Sequence, residues 1–285
     1  MLLLLLLFIS QFLCTSATVE LDATTGKITK INDVQYNNVN TFYDKISGAR
    51  KVHFAACVKF GEVVIKDCAK SASIENERKV LEKLKLEKND YAIHVHDIAE
   101  ARDRIYFVEE SGIPFEHVDK FDCDVMVRIW KAALHIIQYL HSKGIAHLDL
   151  LPINFVLVKQ IHNGNHIVVL KVIDFEKSSM KENGSAPDHQ DVKRDVNRVI
   201  DKMMRYVLER HRSLDSKECD SRTYAQIRHI LDLYPEPSLD DLLKKNKYQM
   251  KEQNPPNDAG LPLNFVDYFD NNWQKMEANF RSTHV

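Results

Sequence analysis

Between residues 139 and 176 two apolar runs, Phe155-Val156-Leu157-Val158 and Ile167-Val168-Val169-Leu170, flank His162-Asn163-Gly164-Asn165. Asn-Gly between β-branched runs is a hairpin signal with a mechanism, because both turn residues need φ > 0. This hairpin constrains everything around it. It places Asn154 at one end and Asp174 at the other, so the two side chains can converge. Upstream, apolar residues at Val127, Ile129, Trp130, Ala133, Leu134, Ile137 and Leu140 predict a long amphipathic helix over 124–141. That helix delivers Gly144-Ile145-Ala146 into a loop holding His147 and Asp149.

An aspartate can accept the proton of a hydroxyl, and an asparagine with a second aspartate can hold Mg²⁺ against nucleotide phosphates. Asp149, Asn154 and Asp174 stand at spacings that phosphoryl transfer can use. The segment His147-Leu148-Asp149-Leu150-Leu151-Pro152-Ile153-Asn154 resembles the protein kinase catalytic loop H-R-D-L-K-P-x-N, and Asp174-Phe175-Glu176 resembles D-F-G.

Other kinase-like pieces occur in order. Alternating runs over 51–59 and 62–67, with a turn near Phe60-Gly61, read as an antiparallel hairpin. Its second strand holds Val63-Val64-Ile65-Lys66, which resembles V-A-I-K. An amphipathic helix follows, capped at Ser73, and its Asn76-Glu77-Arg78-Lys79-Val80-Leu81 resembles the start of the αC helix. Strands are expected over 92–98 and 104–112, the second ending in Glu109-Glu110-Ser111-Gly112 as kinase hinges do. The text over 46–54 stands where kinases carry a Gly-rich loop, and keeps only Gly48 of its glycines. A helix over 192–209 and a kinase-like closing helix over 237–246 complete the pattern.

The resemblance covers roughly residues 42–250. It implies an α+β, bilobal protein-kinase-like fold, with a small antiparallel β-sheet N-lobe (42–112) carrying the αC helix and a larger, mainly helical C-lobe (113–250). It implies ATP with Mg²⁺ or Mn²⁺ as cofactors. Asp149 would orient and deprotonate the acceptor, Asn154 and Asp174 would hold metal, and Lys66, oriented by Glu77, would bind phosphates. Gly48 would cover the phosphates and the backbone at Glu110 would read the adenine edge. His147 would be a structural core residue, and Asp195 the carboxylate that braces the catalytic loop.

The departures are equally specific. Leu148 replaces the arginine that pairs with a phosphorylated activation loop. Leu151 replaces a lysine that contacts the transferring phosphate, which predicts slow turnover. Glu176 adds an anion beside the metal site, to repel phosphate or to act as a further ligand. No A-P-E closes a peptide shelf, and Ala186-Pro187-Asp188 is at best a remnant. Three functions stay open: an atypical protein phosphotransferase acting on a Ser/Thr-type hydroxyl, a pseudokinase serving as a binding or allosteric module, and a small-molecule kinase. The last is raised by Ile173-Asp174-Phe175-Glu176, which also resembles the I-D-F-E of choline and aminoglycoside kinases.

The N-terminus sets the compartment. Apolar residues run over 2–13, followed by Thr15-Ser16-Ala17, which reads as a signal peptide cleaved after Ala17. The run is too short for a spanning anchor, so no stable membrane insertion is expected after cleavage, and the protein is expected in the secretory pathway or outside the cell. Residues 18–41 read as a loosely ordered polar leader, and 251–285 as a tail packed on the large lobe. Cys57, Cys68, Cys123 and Cys219 remain either as two disulfides or as buried thiols, and Asn183-Gly184-Ser185 is a glycosylation sequon. A net charge of −2 without long single-sign runs gives no footprint for nucleic acid, leaving a nucleotide and a protein substrate or partner.

Overall fold

The structure, a computed structural model, describes residues 18–44, 48–86, 89–118, 123–162, 165–181, 185–204 and 206. Its α+β chain divides into two compact units, Met1–Lys70 with Asp97–Val108, and Ser71–His96 with Glu109–Val285. The expected αC-like helix, Ala72–Lys85, is present and falls in the second unit.

The first unit is built of antiparallel strands. β1 (Val19–Leu21), β2 (Ile28–Ile31) and β3 (Val34–Gln35) form one sheet. A second sheet contains β4 (Asn37–Asp44), β5 (Arg50–Cys57), β6 (Gly61–Ala69), β7 (Val95–Ala101) and β8 (Arg104–Glu110), in the order β4-β5-β6-β8-β7. The expected polar leader is therefore ordered. Its few apolar residues, Ile28, Ile31, Val34, Tyr36 and Val39, are spaced to face one side and join Val63, Ile65 and Val108 in the core. Strand periodicity buries them although the segment is polar on average. The β5–β6 hairpin runs in register from Arg50↔Cys68 to Cys57↔Gly61, and Gly61 takes φ +74° at its turn, a conformation glycine adopts without a Cβ penalty. Cys57 and Cys68 are buried free thiols. β7 sits three residues later than expected, and Ala92 instead bridges in parallel to Val172 within the second unit.

The second unit opens with α1 (Ala72–Lys85). Its cap is Ser71, whose hydroxyl accepts the Ile74 N–H at 3.3 Å, and the expected cap Ser73 lies two residues further on, inside the first turn. Ile74, Glu77, Val80, Leu81 and Leu84 form its buried stripe. The chain continues through β9 (Ile113–Pro114) and α2 (Cys123–Ser142) to β10 (Ile145–Ala146). A 3-10 turn at Pro152–Asn154 leads into β11 (Phe155–His162), which pairs with β12 (Asn165–Val172) and, on its other edge, with β9. β13 (Ser179–Met180) pairs with β10. α3 (His189–Arg198) starts earlier than expected and passes into a π-helical stretch, Val199–Met204, burying Val196, Val199, Ile200 and Met203. No helix among the described residues is long and apolar enough to cross a membrane.

The signal sequence, the Asn163-Gly164 turn, the Asn183 sequon, Cys219, the closing helix and the C-terminal tail lie outside the described residues.

Candidate active site

The loop after β10 hangs on one buried carboxylate. Asp195, in α3, accepts the successive N–H groups of His147 at 2.8 Å and Leu148 at 2.7 Å, and contacts His141 Nε2 at 3.0 Å. Leu148 has φ +62°, a left-handed conformation that costs a β-carbon residue about 1–3 kcal/mol unless its surroundings hold it. The two charge-assisted hydrogen bonds that Asp195 accepts hold it. An arginine is not needed for that backbone shape, which explains how leucine stands there.

His147 is fully buried, as expected of a core residue. Its Nε2 lies 3.0 Å from the Ile173 carbonyl and its Nδ1 accepts the Asp149 N–H at 3.3 Å, so the ring is a neutral Nε2–H tautomer. Burial pushes its pKa down, against the neighbouring Asp195. Through this ring the loop is joined to the residue before Asp174.

Asp149 is buried, with both carboxylate oxygens engaged. Arg198 Nη1 donates to Oδ1 at 2.9 Å and Lys177 Nζ to Oδ2 at 2.9 Å. Asn154 Nδ2 donates to the Asp149 carbonyl at 2.8 Å and reaches Oδ2 at 3.4 Å. Those contacts orient the Asn154 amide and leave its Oδ1 as the atom with free acceptor capacity. The backbone closes the same ring, since Ile173 N–H donates to the Asn154 carbonyl at 2.9 Å.

Asp174 also has a left-handed backbone, φ +67°. Asp174, Glu176 and the fully buried Glu77 each offer a carboxylate oxygen within 4.8 Å of the others. Every donor in that set is hard oxygen, which suits Mg²⁺ or Mn²⁺ and not a soft metal. The turn itself is held by Asn76, whose Nδ2 contacts the carbonyls of Phe175 and Glu176 at 3.4 Å each and that of Ser178 at 2.8 Å.

The Glu110 side chain is taken up within the fold. Its N–H donates to the His94 carbonyl at 2.9 Å, Oε1 accepts Lys171 Nζ at 2.5 Å and His94 N–H at 2.6 Å, and Oε2 meets Gln160 at 3.3 Å. Lys171 is fully buried, so Glu110 neutralises a charge that the hairpin carries inside.

In the first unit Lys66 is buried on β6, opposite Val52. Gly48 has φ +64° with open space where a Cβ would stand. Its carbonyl accepts Arg104 Nη1 at 3.1 Å, and the same guanidinium holds the Asp67 carboxylate and, at 2.9 Å, the Asp67 carbonyl.

Sequence reasoning missed Lys177, Arg198 and Asn76. Arg198 had a signal, lying one helical turn after Asp195 and so on the same face. Lys177 had none, because its place is set by a turn.

The pattern of the protein kinase domain family matches residues 45–198, over half of the chain. CBL-interacting serine/threonine-protein kinase 20 of Arabidopsis thaliana is 29% identical over 143 residues, which are 46% of this chain and 31% of that protein. CBL-interacting protein kinase 15 of Oryza sativa subsp. japonica is 30% identical over 144 residues, 46% of this chain and 32% of its own length. The match thus spans about a third of these relatives. With the loop, hairpin and brace in place and a matching pattern running through all three, this chain belongs to the protein kinase domain family.

Proposed function

We propose that this protein is an atypical phosphotransferase of the secretory pathway that moves the γ-phosphoryl group of ATP to a Ser/Thr-type hydroxyl of a protein, slowly. The observation carrying this reading is the construction around Asp149, buried and oriented by a hydrogen-bonded Asn154, on a loop that Asp195 holds in a left-handed turn. In this reading Asp149 accepts the acceptor proton, and Asn154 and Asp174 hold Mg²⁺ or Mn²⁺. Lys66, Glu77 and Gly48 are the residues this reading assigns to the phosphates. The divalent ion would neutralise phosphate charge when bound.

A second reading is favoured by a specific contact. Both Asp149 oxygens sit in ion pairs, so the base is occupied, as a binding module without transfer would permit.

Thermal denaturation with ATP, with and without Mg²⁺ or Mn²⁺, tests both. Binding to the folded state raises the melting temperature, by about 2.7 kcal/mol of stability at a hundredfold excess over Kd. A metal-dependent rise that disappears in Asp174→Ala supports the nucleotide site, and radiolabelled phosphate transfer then separates the enzyme from the pseudokinase. No rise in wild type removes the enzyme.

A further inference from the structure

This inference rests on the phosphotransferase reading and concerns Lys177. Its ammonium lies 2.9 Å from Asp149 Oδ2 and its side chain is 62% exposed, while that of Asp149 is 11% exposed. Arg198 holds the other oxygen at 2.9 Å with a side chain 28% exposed. A hydroxyl that gives its proton to Asp149 must come within hydrogen-bond reach of one oxygen, and a cation paired there lowers the basicity of that oxygen, so proton uptake is favoured when one cation yields.

The two cations are not equivalent. Arg198 projects from α3, the helix whose Asp195 also holds the loop, and its planar guanidinium is preorganised for a carboxylate. Lys177 is a point charge on a flexible stem, mostly in solvent, so water can take over its end of the pair when the ammonium swings away. Its backbone, by contrast, is fixed. Asn76 grips the carbonyls on either side of it, and Ser178 N–H donates to the Phe175 carbonyl at 3.1 Å. The result is a mobile cation on a rigid turn, three residues after Asp174 and touching Asp149.

We propose that Lys177 is a catalytic residue that moves from Asp149 to an oxygen of the transferring phosphoryl group of a nucleoside triphosphate, freeing the base as it takes up phosphate charge. The acceptor oxygen forms a bond to the γ-phosphorus. The bond to the β,γ-bridging oxygen breaks, and its electron pair leaves on the nucleoside diphosphate. The hydroxyl proton passes to the Asp149 oxygen that Lys177 vacated. Charge on the equatorial phosphoryl oxygens is what a positioned cation stabilises. Leu151, two residues beyond Asp149, brings none, and Lys177 supplies it from the turn after Asp174.

Calorimetric titration of the mature protein with ATP and with ADP, each with Mg²⁺, in wild type, Lys177→Met and Lys177→Arg tests this. Lys177→Met is expected to weaken ATP about tenfold, the size of one charged hydrogen bond, with ADP unchanged within about twofold and Lys177→Arg close to wild type. If wild type binds both nucleotides and Lys177→Met weakens neither, or weakens both equally, Lys177 does not contact the γ-phosphoryl group and the inference fails alone. If wild type binds neither nucleotide, the phosphotransferase reading fails and takes the inference with it.

Discussion

At the scale of single residues the candidate site is a set of constrained side chains, and His147 is the most constrained of them. Its ring donates through Nε2 and accepts through Nδ1, so adding a proton to Nδ1 would set two N–H groups against each other. Its pKa is lowered by burial. The unfolded chain therefore binds a proton that the folded chain refuses once pH falls below the ordinary imidazole value of about 6.5. The stabilisation is present in full above that value and is lost as pH drops through it toward the lowered folded value. We expect the melting temperature to fall between about pH 7 and pH 5, and the fall to be shallower in His147→Gln. His53 and His96 act with the same sign, so the difference between the two proteins is the readout. Equal slopes would mean that His147 is not the group titrating. The histidine, the two aspartates and Asn154 were all legible in the sequence, because their types and order follow from the chemistry. Lys177 and Arg198 were not, because which cation reaches a carboxylate depends on backbone paths that no spacing encodes.

Elements decide how those residues are presented. The β11–β12 hairpin was predictable from its Asn-Gly turn and runs in register from Phe155↔Val172 to His162↔Asn165. Its third strand, β9, was not foreseen, since Ile113-Pro114 is too short to show alternation. Its approach depends on Gly112. A Cβ there would meet the Leu157 carbonyl oxygen at 2.9 Å and Val158 Cγ2 at 3.0 Å. A backbone carbonyl in a paired strand has nowhere to go, so Gly112→Ala should destabilise the protein by about 1–3 kcal/mol in chemical denaturation. An unchanged midpoint would show that β9 can shift away without loss. α3 teaches a related lesson. Its apolar spacing continues past Arg198, but the backbone changes to a π-helix from Val199 to Met204. Periodicity locates a buried stripe without distinguishing helical types that bury nearly the same one.

Over the whole molecule the first unit shows how a polar segment becomes structure. Residues 18–41 lack a continuous apolar run, yet Ile28, Ile31, Val34, Tyr36 and Val39 join one core with the β5 and β6 residues. The same core holds Cys57, and Cys68 is also fully buried, both as free thiols. A thiol-specific maleimide should therefore spare Cys57 and Cys68 in the native protein and modify both in denaturant, read by peptide mass spectrometry. Modification of either without denaturant would place it at the surface, and failure of either to react under non-reducing denaturation would reveal a disulfide. The sequence by itself determined the family, the hairpin, and the types and order of Asp149, Asn154 and Asp174 along the chain. Each of these rests on residue type at a fixed separation along the chain, and a turn or a helix converts such separations directly into geometry. Tertiary structure alone decided that the leader is ordered, that Glu110 neutralises Lys171, and that Asp149 is held by Lys177 and Arg198. Burial and ion pairing join residues tens of positions apart, and their free energy depends on which surfaces meet, a quantity that local sequence pattern does not contain.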